Sequence, residues 1–556
     1  MRSALFNYKF CFSIVFFVFQ FGGLYAQQEL AVIPKPQVSK KVDGLFIINS
    51  HTSIITDENT DGKAAYYLQN ELLKHKILPL SIQTASESPA IRLSLVPGEN
   101  QKEGAYKIAM KSGGVHISAT NEEGLFLGTV TLLQMIRQAE MKDGKLSLSC
   151  WNIEDAPFYD WRGLMLDESR HFFGKEKVKD ILDWMAFYKL NKFHWHLTDQ
   201  TGWRIEIKKY PKLTLIGGIG NNSDPFAPAQ YYTQEEIKEI VAYAGERFID
   251  VIPEIDMPGH ATAANMAYPA FSGGGSQRYP EFTFNPGKDE VYQYLTDILK
   301  EIDALFPYQK IHIGGDEVHF GNESWKTDEA VQQLMRDKKF KDLKEVENYF
   351  IHRMGDSILN LNNEIMAWDE VVGSELPPEK TTVYWWRHDK PEVLKEALKK
   401  GFHTILSPRL PLYFDFVQDS THTIGRKWQK GFVPLESVYN FPSAAILDLP
   451  NAGKLLRGVQ ANLWTEVLST GEQFDYMLFP RITALSESAW TKPSNKDYGD
   501  FQKRLKQHLL FFAEEGLYYF DPFIPQKFPE YLSPAQRNNM APDTDNLTKQ
   551  EQGKND

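Results

Sequence analysis

The sequence predicts an α/β fold, a (β/α)8 TIM barrel preceded by a small α+β domain, on three observations. From about residue 160, strand-like runs alternate with amphipathic helical runs until eight strand candidates have passed. Most of those runs are apolar throughout, as parallel strands covered on both faces by their crossovers must be. All twelve tryptophans fall between Trp151 and Trp490, so the composition shifts near residue 150.

The chain starts MRSALFNYKF and continues CFSIVFFVFQFGGLYA. A short basic start, an apolar run and small residues ending at Ala26 read as a secretory signal peptide over residues 1–26. The expectation is an exported protein, periplasmic or extracellular. The apolar run is shorter than the ~20 residues a spanning helix needs. No later segment is long enough, so no membrane span is expected in the mature chain. Cys11 would leave with the signal and Cys150 would stand alone, so core burial rather than disulfides must hold the fold. A formal net charge of −12 argues against a nucleic-acid surface, which needs a basic stripe.

Residues 27–152 read as the small domain. LFIINSHTSIITD is strand-like, DGKAAYYLQNELLKHK has helical spacing, AYKIAMKSGGVHISAT suggests a hairpin about Gly113-Gly114, and GLFLGTVTLLQMIRQ is a second helix. The turn-like EDAP at 154–157 marks the boundary, and residues 153–525 read as the barrel with its C-terminal helix. Its first four strands are predicted at RGLMLDE (162–168), KFHWHLT (192–198), FIDVIPEID (248–256) and KIHIGG (310–315). The next four are EIMAWDE (364–370), TVYWWR (382–387), HTILSP (403–408) and LRGVQANLW (456–464). An open doubly wound sheet would want a glycine-rich phosphate turn after its first strand, where this chain has DESRHFFG. The connection 409–455 is the least helical and reads as a long loop. Residues 471–490 would be the closing helix, 498–517 one more helix, and 526–556 a polar, disordered tail.

In such a barrel, chemistry collects at the C-terminal ends of the strands. Those ends carry Asp167, Glu168 and Arg170, then Asp199, then Glu254 and Asp256, then Asp316 and Glu317. Trp368 and Asp369, Trp386 and Arg387, and Trp464 and Glu466 follow. Acids with tryptophans suit sugars, whose CH faces stack on rings while their hydroxyls meet polar groups. Each has a plainer reading: Asp316 could cap a helix, a tryptophan could be packing, and Arg162 could be a paired core arginine. His194 and His196 share one side of a strand, a metal-ligand spacing that His260 could extend. The later strand ends offer no further histidine, so no metal and no other cofactor is expected. Asp316 and Glu317 are adjacent, and neighbours can hardly straddle a sugar ring as two glycosidase carboxylates usually do. They can act on different atoms of one face, with the substrate supplying the nucleophile.

The motifs WRGLMLDESRHF (161–172), HWHLTDQTGWR (194–204), PEIDMPGH (253–260), HIGGDE (312–317) and NLWTE (462–466) together resemble glycoside hydrolase family 20, the β-N-acetylhexosaminidases. The likeness extends from the small domain to the closing helix. It implies exo removal of terminal β-linked GlcNAc or GalNAc from a glycan, with retention through an oxazolinium intermediate. Glu317 would be the general acid/base, with burial and its neighbour favouring the neutral form. Asp316 would grip the acetamide N–H, and His260 and Asp199 would relay to Glu317. Tyr413 would hold the acetamide oxygen. Trp368, Trp386 and Trp464 would wall the pocket, and Arg162, Asp415 and Glu466 would take the hydroxyls. Where the family commonly shows a second acid after Asp199, this chain has Gln200. Rival readings are a catalytically silent glycan-binding protein on the same scaffold and a metal-dependent barrel hydrolase.

Overall fold

The computed structural model describes residues 30–86, 89–98, 102–429, 431–533 and 536–537; the predicted signal peptide lies outside them. Among the described residues no helix is long and apolar enough to cross a membrane.

The N-terminal sheet comprises β1 (Val38–Ile48), β2 (Ser53–Thr56), β3 (Ser81–Gln83) and β4 (Ala90–Leu95). It continues with β5 (Tyr106–Lys111), β6 (Gly114–Ala119), β7 (Met141–Lys142) and β8 (Lys145–Asp155). The order is β1-β8-β5-β6-β4-β2-β3 with β7 on β8, antiparallel on one side of β6 and parallel on the other. Along β5 buried and exposed residues alternate strictly, the period of a strand with one dry face. Helix 122–137 covers that sheet and is buried from Gly124 to Ile136, which explains its nearly unbroken apolar sequence. Its Gln134 accepts from Ile33 N at 2.9 Å and donates to Phe187 O of a barrel helix at 2.7 Å.

Strands β9 (Trp161–Asp167), β10 (Lys192–His196), β11 (Asp250–Glu254) and β12 (Lys310–His312) begin the second sheet. Strands β13 (Glu364–Trp368), β14 (Thr381–Trp385), β15 (His403–Leu406) and β16 (Leu456–Leu463) close it into a parallel barrel, β16 pairing β9. All seven residues of β9 are buried, as a strand with helices outside and packed side chains inside requires. Helix 289–303 shows the outer layer: Val291, Leu295, Ile298 and Ile302 form one stripe with each member at 0 % exposure. Burying each such side chain contributes about 1.5–3 kcal/mol.

The two sheets share one compact unit. At the seam Asp155, the last residue of β8, accepts from Tyr106 Oη at 2.6 Å and Trp490 Nε1 at 3.0 Å, and pairs Lys189 at 3.5 Å. The start of the tail departs from expectation. Phe528 packs on Tyr519 at 5.1 Å, Tyr531 on Tyr518 at 5.6 Å, and Glu530 accepts from Thr423 and Ile424. Aromatic anchors set among polar residues order this stretch; most of the remaining tail lies outside the described residues.

Candidate active site

The fourth strand is shorter than predicted because its ladder stops at His312 and the chain turns through residues that an extended strand cannot hold. Gly314 and Gly315 have φ of 67° and 87°, and Glu317 has φ of 52°. A Cβ on Gly314 would lie 1.9 Å from Asp256 Oδ1, so only glycine fits that close approach. The turn delivers Asp316 and Glu317 to the C-terminal rim. His260, which faces them from the loop after β11, also has a positive φ of 53°. Non-glycine residues in this region cost about 1–3 kcal/mol each and cluster where surrounding structure imposes a geometry.

His260 Nε2 lies 3.6 Å from Asp316 and 3.8 Å from Glu317, while its Nδ1 is 3.0 Å from Asp199 Oδ1. Burial opposes charge on His260, but Asp199 and Asp316 outweigh it and push the ring up to about 9. Asp199 is saturated: Oδ1 also accepts from Gln200 N at 2.5 Å, and Oδ2 meets Arg170 at 2.6 Å and His196 at 2.9 Å. Burial works against its ionisation, yet Arg170 and His260 hold it well below the usual carboxylate range. Charge around the relay is therefore set by Arg170 and two histidines even with Gln200 in place of a second acid. Asp316 behaves in the opposite way. Burial first, then Glu317, Glu254 and Glu370, push it up to about 8 against the pull of His260. Its Oδ1 is buried and has no hydrogen-bond partner among the described residues. The Glu317 carboxyl is at the mouth, its side chain 31 % exposed, with its backbone N–H donating to Glu370 at 3.1 Å.

Asp316, Glu317 and His260 line one cavity of about 450 Å3 with Trp368, Trp386, Tyr413, Asp415, Trp464 and Glu466. Trp386 and Tyr413 are stacked 15° from parallel, and Tyr413 and Trp368 each have their ring 6.0 Å from that of Trp464. Trp385 points elsewhere, donating to Lys390 O. Asp415 and Glu466 are bridged by Arg426 at 3.2 and 2.5 Å. Burial, reinforced by Glu466, carries Asp415 up to about 7, opposed by Arg426.

Arg162 is not part of this site. As the second residue of β9 it sits at the opposite end of the barrel, 1 % exposed, donating to Lys189 O and Tyr159 O and pairing Glu123 of the small domain. It borders a separate, salt-bridged cavity of about 700 Å3 on the N-terminal face. Parallel strands deliver only their C-terminal ends to the rim, and residue 162 is about 17 Å of strand short of it. Arg170, three residues past the end of β9, occupies the cavity instead, 5.0 Å from the Trp464 ring and 4.0 Å from Glu466. Arg409 and Trp428, on the β15–β16 connection, also line it, with the guanidinium 4.8 Å from Trp386 and 4.5 Å from Trp428. No motif signals these last two. The three histidines do not gather round one point: His196 and His260 meet opposite oxygens of Asp199, while His194 lies beside Glu254 and His312.

A model of the catalytic domain of glycosyl hydrolase family 20 matches residues 159–493, and one of that family's domain 2 matches residues 29–156. The chain belongs to glycosyl hydrolase family 20. It is 34 % identical over 511 residues to a β-hexosaminidase of Porphyromonas gingivalis, covering 89 % of this chain and 65 % of that one. Less than two thirds of that relative's length is thus represented here. Among solved family 20 structures, an exo β-N-acetylglucosaminidase of Vibrio harveyi in complex with N-acetylglucosamine superposes with a TM-score of 0.82 at 32 % identity. It covers 89 % of this chain and 78 % of its own. A mutant Streptomyces plicatus β-hexosaminidase in complex with the product GlcNAc gives 0.78 at 30 %, covering 89 % and 97 %. The barrel behind a small mixed sheet is thus the family 20 arrangement.

Proposed function

We propose that this protein is an exo-acting, retaining β-N-acetylhexosaminidase that removes terminal β-linked GlcNAc or GalNAc from glycans. One observation carries the reading: two adjacent carboxylates share one histidine at the mouth of a single aromatic-walled cavity. In the first step Glu317 gives its proton to the glycosidic oxygen. The acetamide carbonyl oxygen attacks the anomeric carbon, the bond to the leaving oxygen breaks, and an oxazolinium ion forms. Asp316 accepts from the acetamide N–H through Oδ1 and offsets the developing positive charge. A hydrogen bond to its charged form draws its pKa back down when substrate is bound. In the second step Glu317 takes a proton from water, which opens the ring at the anomeric carbon and restores the β configuration. His260, fixed by Asp199, faces both acids. Tyr413 holds the acetamide oxygen, and Trp368, Trp386 and Trp464 enclose the sugar. Arg170, in place of Arg162, joins Asp415 and Glu466 at the hydroxyls. The basic, apolar and small-residue pattern of the first 26 residues supports export to the periplasm or beyond.

The test compares 4-nitrophenyl N-acetyl-β-glucosaminide with 4-nitrophenyl β-glucoside. Hydrolysis of the first alone is expected. Equal rates would remove the acetamide from the mechanism.

A further inference from the structure

Beneath the cavity lies a carboxylate that the reaction above does not use. Glu254, the last residue of β11, is at 0 % exposure. Its Oε1 accepts from Trp368 Nε1 at 2.8 Å, and its Oε2 is 2.5 Å from His196 Nδ1. His194 Nε2 and His312 Nδ1 each lie 3.0 Å from one of its oxygens. A carboxylate shut off from water persists only where its partners compensate it. Here those partners lead to the active site. His196 Nε2 is 2.9 Å from Asp199 Oδ2, so both of its ring nitrogens face carboxylate oxygens. Both must donate, which makes the ring an imidazolium. Burial resists that charge, and Glu254 and Asp199 overcome it, taking His196 up to about 10.

We propose that Glu254 is a positioning residue for proton transfer at Glu317: it holds His196 as a cation, His196 fixes Asp199, and Asp199 aims His260. Its other oxygen fixes the Trp368 indole, so one buried carboxylate sets both the proton relay and the floor of the sugar site. The proposal rests on the proton-donor role given to Glu317.

The two arms are separable. In Glu254→Gln the amide oxygen can still accept from Trp368, but a neutral amide cannot hold an imidazolium. In Glu254→Ala both arms are lost. The readout is kcat/KM on two N-acetyl-β-glucosaminides: a 4-methoxyphenyl glycoside, whose leaving oxygen needs a proton, and a 2,4-dinitrophenyl glycoside, which departs without one. Since a positioned acid is worth about 10²–10⁴-fold, Glu254→Gln should lose at least about 10-fold on the first substrate and under about 3-fold on the second. Glu254→Ala should lose on both. His196→Gln, which breaks the chain one link later, should repeat the selective loss and decides the matter if the Glu254 variants do not fold. Equal losses on both substrates, or wild-type rates on both, in Glu254→Gln or His196→Gln would overturn the proposal. Glu317→Gln is the control. If it lacks the selective loss, the proton-donor reading fails instead.

Discussion

Asp316 and His260 are both displaced toward the protonated form, and that displacement ties stability to pH. Asp316 goes from an ordinary carboxylate value to about 8 and His260 to about 9. In each case the folded protein binds its proton more tightly than the unfolded chain does. The contribution of Asp316 is therefore complete below about pH 4 and is lost as pH rises through 8. That of His260 is complete below about 6.5 and lost through 9. The ligand-free melting temperature should fall between pH 5 and 8, and Asp316→Asn should flatten the fall, because it deletes one of the two linked protons. A steeper decline in that variant, measured by calorimetry across pH, would contradict the assignment. At this scale the sequence was legible where chemistry sits beside a chain break: Gly314-Gly315 followed by two acids can hardly be anything but a strand end. It was misleading at Arg162. WRGLMLDESR holds two arginines, and only strand direction tells which one reaches the rim.

Among the elements, the turn after β12 carries the most constraint per residue. Gly314 combines a positive φ with contact against Asp256, which is itself 3 % exposed. Gly314→Ala should cost at least about 1–3 kcal/mol from backbone conformation alone, plus the displacement of Asp256. The expected result is a lower urea midpoint together with lost activity; unchanged values for both would show the turn to be adaptable. The strands were readable because each is a short apolar run between helices of 3.6-residue period. The C-terminal stretch was not, because Phe528 and Tyr531 are too sparse to outweigh their polar neighbours, and their partners Tyr519 and Tyr518 precede the predicted tail. The His194–Glu254–His312 layer was hidden for a different reason. Its members lie on three strands, and only closure of the barrel brings them together.

Over the whole molecule, the small sheet and the barrel are joined by charge as well as by apolar surface. Lys189 is buried against Asp155, Tyr106 and Trp490, and burial lowers it to about 8 even with Asp155 pulling the other way. Asp155→Ala would leave that ammonium without a counter-ion, a change that costs about 3–5 kcal/mol when one partner of a buried pair is removed. Urea unfolding should remain one transition for both parts, with its midpoint lowered. Separate transitions for sheet and barrel would show the seam to be weaker than its contacts imply. The seam was only partly legible, since a composition shift marks where a boundary falls but not what crosses it. Trp368 and the buried Glu254 layer behind it form the inner end of the catalytic cavity, away from the partly exposed Glu317. Under the exo reaction proposed above, the liberated monosaccharide would occupy the same berth as the next chain end and compete with it.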